Sequence, residues 1–488
     1  MFCFVFFISF AGFNQPAKIK NQFMEKENIS GKKNKKSIRN IIPFMLILFV
    51  IIGLPLIFLN YQAKKSGLSW KDTIKRITYQ KHDSNPDSLG VVSSTMGEKI
   101  DFLTRQDVGQ KFTEAPLISN IQATDLDGDG LMDIIVCDCK SNSVNWIRQA
   151  PAGVYTESVL AGNLIAPAHV QVIDFDNDGD KDIMVAVLGM LFPNNDKIGS
   201  VVILENNGHN EFTKHIAAEK IARASDVRAA DFDKDGLMDL AVAQFGYDDG
   251  ETRWIRNLGN WIFESHILQN LSGPINVEIA DIDNDGYLDI VSLVSQEWEE
   301  IWGYLNDGKG NFQPKLLFKS SNQDFGSSAI FLCDADKDGD MDLLYTNGDA
   351  FDYIPPRGRP WHGIQWLENK GSLNFEFHRI CDFIGVSNIR PVDIDHDGDL
   401  DLFAVSTFNL WDNPESQSFI WLENKGNMQF IKHNITNSPT HMIALDIADF
   451  NGDGEADLIT GGMHTFPPFD RMGRVVLWIN NGKLAAKK

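Results

Sequence analysis

Seven times the chain writes an Asp-rich stretch of nine residues whose side-chain oxygens fall at fixed positions. The copies begin at Asp125, Asp174, Asp231, Asp281, Asp334, Asp393 and Asp449. Positions 1, 3, 5 and 9 are Asp125, Asp127, Asp129 and Asp133 in the first, and Asp174, Asp176, Asp178 and Asp182 in the second. They are Asp231, Asp233, Asp235 and Asp239, then Asp281, Asp283, Asp285 and Asp289, then Asp334, Asp336, Asp338 and Asp342. The sixth has Asp393, Asp395, Asp397 and Asp401, and the seventh Asp449, Asn451, Asp453 and Asp457, with Asn in place of one Asp. A glycine at position 6 permits a sharp turn. Carboxylates this close repel one another unless a cation sits between them. Calcium, which takes roughly six to eight oxygens in a flexible shell, suits such a loop. The spacing therefore predicts structural Ca2+ at up to seven sites.

The flanks decide what holds these loops. An EF-hand would need a Glu at position 12 and helices on both sides. Position 12 is Val136, Val185, Val242, Ser292, Tyr345, Ala404 or Thr460, and never an acid. The residues before the loop alternate as strands do, as in Ile275-Asn276-Val277-Glu278-Ile279. β-branched runs such as Ile183-Met184-Val185-Ala186-Val187 follow it. Each loop is thus read as a hairpin tip. The loops begin 49, 57, 50, 53, 59 and 56 residues apart, a period typical of propeller blades or solenoid units. A second signature recurs between them, as in Trp366-Leu367-Glu368-Asn369-Lys370-Gly371 and Trp421-Leu422-Glu423-Asn424-Lys425-Gly426. Asn-x-Gly between apolar runs marks a tight turn, so each unit holds four short strands. The expected fold is all-β: a seven-bladed β-propeller of four-stranded blades. The last unit lacks an outer strand, and Gln110–Leu117 is expected to supply it and close the ring.

With these seven loops and the Trp-Leu-Glu-Asn-x-Gly signature between them, the chain from about residue 110 to the end resembles the FG-GAP/VCBS repeat family. Integrin α-subunit propellers are its best-known members. The resemblance implies calcium in the loop joining the first and second strands of each blade. It also implies a further oxygen from the carbonyl at position 7, Leu131 in the first copy. The family's Phe-Gly and Gly-Ala-Pro signatures are reduced to fragments such as Phe245-Gly246 and Gly273-Pro274. No adhesion domain is inserted in the repeats. The likeness is closer to surface-displayed VCBS proteins than to an integrin receptor.

At 488 residues and 43% hydrophobic content, the chain can bury a large core. Its net charge of −23 excludes general nucleic-acid binding, which needs a basic footprint. Five cysteines form no disulfide framework, and no second Cys/His pair stands at zinc spacing from Cys137 and Cys139. Residues 1–40 are a basic segment expected on the cytoplasmic side. Residues 41–59 (Ile41–Leu59) are uncharged and long enough for a transmembrane helix. Residues 60–109 read as a polar tether and 110–488 as the propeller. A single-pass membrane protein with a periplasmic or extracellular propeller is the expectation.

Loops that fix hairpins leave little room for substrate, so ligands are expected at the opposite end of the blades, where the connecting loops vary. Tyr353, Trp361, His362, Trp411 and His464 lie in those loops. Aromatics beside Asp, Asn and Arg suit a carbohydrate or protein ligand. His169, Asp226, Arg228, Asn276, Asn388, Arg390 and His441 stand just ahead of the inner strands and are expected to ring the channel on that face. The reading is a binding or interaction module. Two alternatives are a lyase-like enzyme on polysaccharide using the ring residues, and an assembly scaffold.

Overall fold

The computed structural model describes residues 49–66, 70, 71, 73, 74, 97, 100–353 and 355–484. The acidic loops tie together seven antiparallel sheets of four strands each, giving a seven-bladed β-propeller. Blade one is β2 (Ile118–Thr124), β3 (Asp133–Asp138), β4 (Ser143–Gln149) and β5 (Tyr155–Ala161). Blade two is β6 (Pro167–Ile173) to β9 (Phe212–Ile221), and blade three β10 (Arg223–Ala230) to β13 (Phe263–Asn270). Blade four is β14 (Pro274–Ala280) to β17 (Phe312–Lys319), and blade five β18 (Ser327–Cys333) to β21 (Phe375–Asp382). Blade six is β22 (Val386–Val392) to β25 (Phe430–Thr436). Blade seven is β26 (Met442–Ala448), β27 (Asp457–Gly462), β28 (Val475–Asn480) and, on its outer edge, β1 (Leu103–Asp107).

The strands differ in burial according to their place in the blade. The second strand, such as β7 (Asp182–Val187), is buried at every residue because both its faces meet neighbouring blades. Outer strands such as β5 alternate towards solvent. The core accordingly lies mainly between blades, in seven apolar clusters, one for each neighbouring pair, with a smaller eighth around Cys139, Ala166, Leu188 and Met463. One joins Met184, Val201 and Ile203 of blade two to Val227, Leu240 and Val242 of blade three. Another joins Ile134 and Val136 of blade one to Ile459 and Leu477 of blade seven, across the seam. The seam also carries a buried ion group, with Arg474 Nη2 lying 2.6 Å from Glu157 and 3.0 Å from Asp138.

Ring closure uses an N-terminal strand, as expected, but a different one. β1 pairs with β28 from Leu103 opposite Asn480 to Asp107 opposite Val476. Gln110–Leu117 runs instead as a connection, with one isolated bridge from Leu117 to Met463. The propeller therefore begins ahead of residue 110. The side chain of Phe102, just before β1, is buried edge-on against Trp421 at 5.2 Å and holds the strand in place. The segment 110–117 contains Pro116, which cannot donate to a ladder.

By itself, the N-terminal described segment is a π-helical turn, Phe49–Gly53, leading into α1 (Leu54–Ser66). Pro55 lacks an N–H and crowds the carbonyl four residues earlier, which accounts for the irregular turn ahead of it. Among the described residues, no helix is long and apolar enough to cross a membrane. The basic segment 1–40, residues 41–48 of the Ile41–Leu59 run and most of the tether between residues 67 and 99 lie outside them.

Candidate metal centres and the channel mouth

Each acidic loop is a preformed cup of oxygens. The position-1 carboxylate accepts the N–H of position 6 in every loop and that of position 5 in all but blade five, as Asp281 does from Asp285 (3.0 Å) and Gly286 (2.8 Å). The position-5 carboxylate accepts the N–H of position 7, as Asp285 does from Tyr287 at 2.9 Å. Two residues take left-handed backbone conformations: the glycine at position 6 (φ 101° at Gly179) and the residue at position 4. Position 4 is Gly128, Asn177, Lys234, Asn284, Lys337, His396 or Gly452.

Position 9 has a second duty that its spacing does not reveal. The side chains of Asp133, Asp182, Asp239, Asp289, Asp342, Asp401 and Asp457 are buried. In every blade one oxygen accepts the backbone N–H at the end of the third strand, for example Gln149 at 2.7 Å, Asn306 at 2.8 Å and Asn480 at 2.7 Å. In several blades the other oxygen accepts the N–H of position 2, as Asp457 does from Phe450 at 2.9 Å. Burial pushes these carboxyls up, to about 6 at Asp133, Asp182, Asp342 and Asp457, about 7 at Asp239 and Asp289, and about 8 at Asp401.

The donor set fits a hard divalent cation. One oxygen each from Asp125, Asp127 and Asp133 lies within 4.8 Å of the others, and the same holds for Asp174, Asp176 and Asp182. Asp231, Asp233 and Asp235 form such a group too, as do Asp281, Asp283 and Asp285. Buried oxygens at Asp127 (Oδ1), Asp233 (Oδ1), Asp334 (Oδ1) and Asp401 (Oδ2) have no hydrogen-bond partner. Leaving such an atom buried and unmatched is costly, and a cation would match it. Oxygen ligands of this kind in a flexible loop are those of calcium chemistry.

At the other end of the blades the seven inner strands share a feature the sequence reading missed. Each carries a β-bulge at its start, as between Ile118 and Asn120 in blade one and between Pro274 and Asn276 in blade four. The bulged residues are Ser119, Ala168, Ser225, Ile275, Ser328, Ser387 and Ile443, and all seven line one cavity of about 240 Å³. The four serines donate to carbonyls of the next blade: Pro167 (2.5 Å), Pro274 (3.0 Å), Val386 (2.8 Å) and Met442 (3.0 Å). Leu188, Leu191, Phe245, Phe351, Phe408 and Met463 give the cavity an apolar wall, with Arg223, Gln296 and Asp349 among its polar members. The channel mouth is therefore mainly apolar.

The expected ring residues lie one step deeper and bind one another. His169, Asp226, Arg228, Asn276, Asn388 and Arg390 are within the inner strands and not ahead of them. His169 Nδ1 is 2.9 Å from Asp226, Arg228 is 3.1 Å from Glu278, and Arg390 is 3.6 Å from Asp446. Asp226 also accepts the N–H of Val277 at 3.1 Å, and Asn276 Oδ1 that of Ile330 at 3.0 Å, so the channel lining stitches blade to blade. Burial lowers His169, partly countered by Asp226.

The aromatic and histidine candidates in the variable loops are mostly interior. His362, His441 and His464 are buried, and burial drives them down to about 3, 3 and 4. Trp411 is 5% exposed, with its indole N–H on the Thr407 carbonyl. Trp361 is half-buried and donates to the Asp324 carbonyl at 2.8 Å, while Tyr353 lies under the Arg359 guanidinium. Trp411 also helps line a second hollow of about 280 Å³ with Pro355, Pro356, Leu410, Phe466 and Pro468. Cys137 and Cys139 are buried, with the Cys139 thiol directed at the Pro167 carbonyl.

Residues 125–185, 235–292 and 393–460 match the FG-GAP-like repeat model. Each stretch opens inside one acidic loop and ends in the strand after the next. No curated protein sequence matches the chain. Among solved structures, the crystal structure of BBS1N in complex with ARL6DN, soaked with lead, is similar at 10% identity and a TM-score of 0.46. That match covers 77% of this chain and 95% of the other. The same complex soaked with mercury is similar at 10% identity and a TM-score of 0.43, covering 75% and 92%. At these scores neither match bears on fold or function. Seven blades of one plan, and matched stretches that each begin in an acidic loop, make this chain a seven-bladed β-propeller of FG-GAP-like repeats.

Proposed function

We propose that the chain is a membrane-anchored, calcium-stabilised binding module whose propeller faces the extracytoplasmic side and takes a protein or carbohydrate ligand at the variable-loop face. The carrying observation is the apolar cavity at the channel mouth, built from one bulged residue per blade. A rigid concave site with apolar walls and a few polar groups is the usual form of a binding pocket. Its mainly apolar walls favour an apolar side chain of a protein ligand over a sugar, whose hydroxyls would have Arg223, Gln296, Asp349, Asp352 and serines already donating to carbonyls as their polar partners. The ring residues of the enzyme alternative are engaged with one another, which speaks for structure over acid–base chemistry.

Calcium is assigned from the oxygen sets and the unmatched carboxylate oxygens. The membrane anchor is supported by the uncharged run Ile41–Leu59 and by α1 with its preceding turn, where Phe49, Val50, Ile52, Leu54, Ile57 and Phe58 are about half exposed. The test screens the purified protein against a peptide library and a glycan array. Retained peptides should carry an apolar anchor residue, and Leu191→Asp should abolish their binding. Glycan binding that survives Leu191→Asp, with no peptide retained, would overturn the ligand assignment. Alkaline extraction that releases the full chain from membranes would overturn the anchor.

A further inference from the structure

We propose that Arg148 and Arg256 serve as built-in counterions for the acidic loops of blades one and three, making these two weaker calcium sites than the other five. The inference rests on the reading of the loops as calcium sites. It turns on a single recurring position, the residue before the one whose N–H the position-9 carboxylate accepts. That residue is Arg148, Glu205, Arg256, Leu305, Glu368, Glu423 and Ile479 in blades one to seven. The fold places it one strand away from the loop in every blade, so its charge is the variable.

Both arginines reach into their loops in the same way. Arg148 Nη2 lies 2.5 Å from Asp127 Oδ2 and 3.4 Å from Asp129 Oδ2. Arg256 Nη2 lies 2.6 Å from Asp233 Oδ2 and 3.2 Å from Asp235 Oδ2. The Asp127 and Asp233 side chains are only 5% and 6% exposed, and in each the other oxygen, Oδ1, has no hydrogen-bond partner. These two carboxylates belong to the oxygen groups that could hold an ion. A cation at either site must therefore share its position-3 ligand with a guanidinium. The guanidinium repels the incoming dication and already offsets the carboxylate repulsion that the ion would relieve.

At this position the other blades have no arginine. Blades four and seven carry Leu305 and Ile479, which are neutral. Blades two, five and six carry a glutamate, each held by a histidine of the outer strand, His215 on Glu205 (2.5 Å), His378 on Glu368 (2.8 Å) and His433 on Glu423 (2.8 Å), with Lys370 and Lys425 also paired to the last two. Lys315 acts on Asp283 of blade four, while Lys370 and Lys425 act on the loops of blades five and six together with the glutamates that hold them, so those two pairs bring little net charge. Replacing a nearby positive charge by a negative one should change affinity for a dication by about tenfold or more.

The test titrates the metal-stripped full chain with calcium against a chromophoric chelator. The expected isotherm has two classes, with two ions in the weaker one. Arg148→Glu together with Arg256→Glu, the residue type of blade two, should move those two ions into the tighter class. Leu305→Arg should move one further ion into the weaker class, and it serves alone if the double variant fails to fold. A second readout is melting in excess chelator, where Arg148→Met should lower the midpoint, with the loss made good by saturating calcium. One uniform class in the wild type, or isotherms unchanged by these substitutions, would overturn the inference. Complete absence of calcium binding would instead overturn the calcium reading beneath it.

Discussion

A buried carboxylate that accepts two backbone N–H groups holds a strand end as firmly as it could hold an ion, and position 9 is such a group in five blades, at Asp133, Asp182, Asp289, Asp342 and Asp457. Asp289 accepts from Asn306 at 2.8 Å and from Ile282 at 3.0 Å, joining the loop to the end of the third strand. Asp289→Ala should therefore destabilise the protein by about 3 kcal/mol even in excess chelator. Asp289→Asn, which keeps one acceptor, should cost less. Denaturant melts of the two variants check this, and equal losses would count against it. That the carboxylates of each loop gather was legible from their spacing, and groups of three do lie close together. The second role of position 9 was not, since its partners are backbone groups some 17 residues further on. The buried histidines make a separate prediction. His362, His441 and His464 have folded values of about 3 to 4, below the ordinary histidine range, so the unfolded chain binds protons that the folded one refuses. The stability they allow is fully present above about pH 6.5 and is lost as pH falls towards 3, at about 2 kcal/mol per histidine by pH 5. His362→Gln should flatten part of that slope in melts taken between pH 7 and pH 5.

At the scale of elements, the second and third strands were the easiest to anticipate, because burial on both faces demands continuous apolar runs such as Asp133–Asp138. The closing strand was the hardest. Four of the five residues of β1 are exposed, so Leu103–Asp107 shows no apolar alternation, whereas Gln110–Leu117 contains Phe112 and Leu117 and imitates one. What holds β1 is its ladder with β28 and the burial of Phe102 beside it. A chain beginning at residue 110 should lose this strand, expose the β28 edge, melt at a lower temperature and self-associate. A chain beginning at residue 100 should not. Equal melting points and monodisperse elution for both would show that β1 is dispensable. The inner-strand bulges were equally hidden, since a bulge adds one residue without changing the composition around it. Their outcome, seven residues converging on one cavity, appears only once the ring is assembled.

For the whole molecule, seven copies of one unit at a period of about fifty residues implied a ring of seven blades, because each sheet must cover its faces with a neighbour. The channel lining could not be read in the same way. Polar residues such as His169, Asp226 and Arg228 look like a reactive ring in sequence, yet in the ring they match each other's charges and cap N–H groups of the next blade. In the function proposed above, ions at the loop end and the interblade clasps at the mouth would together tie each blade at both ends. The most direct test is the melting temperature of the metal-stripped protein as a function of free calcium. The midpoint should climb steadily as the sites fill, each contributing about 2.7 kcal/mol at a hundredfold excess over its Kd. A midpoint that stays flat from full chelation to saturating calcium would contradict the account.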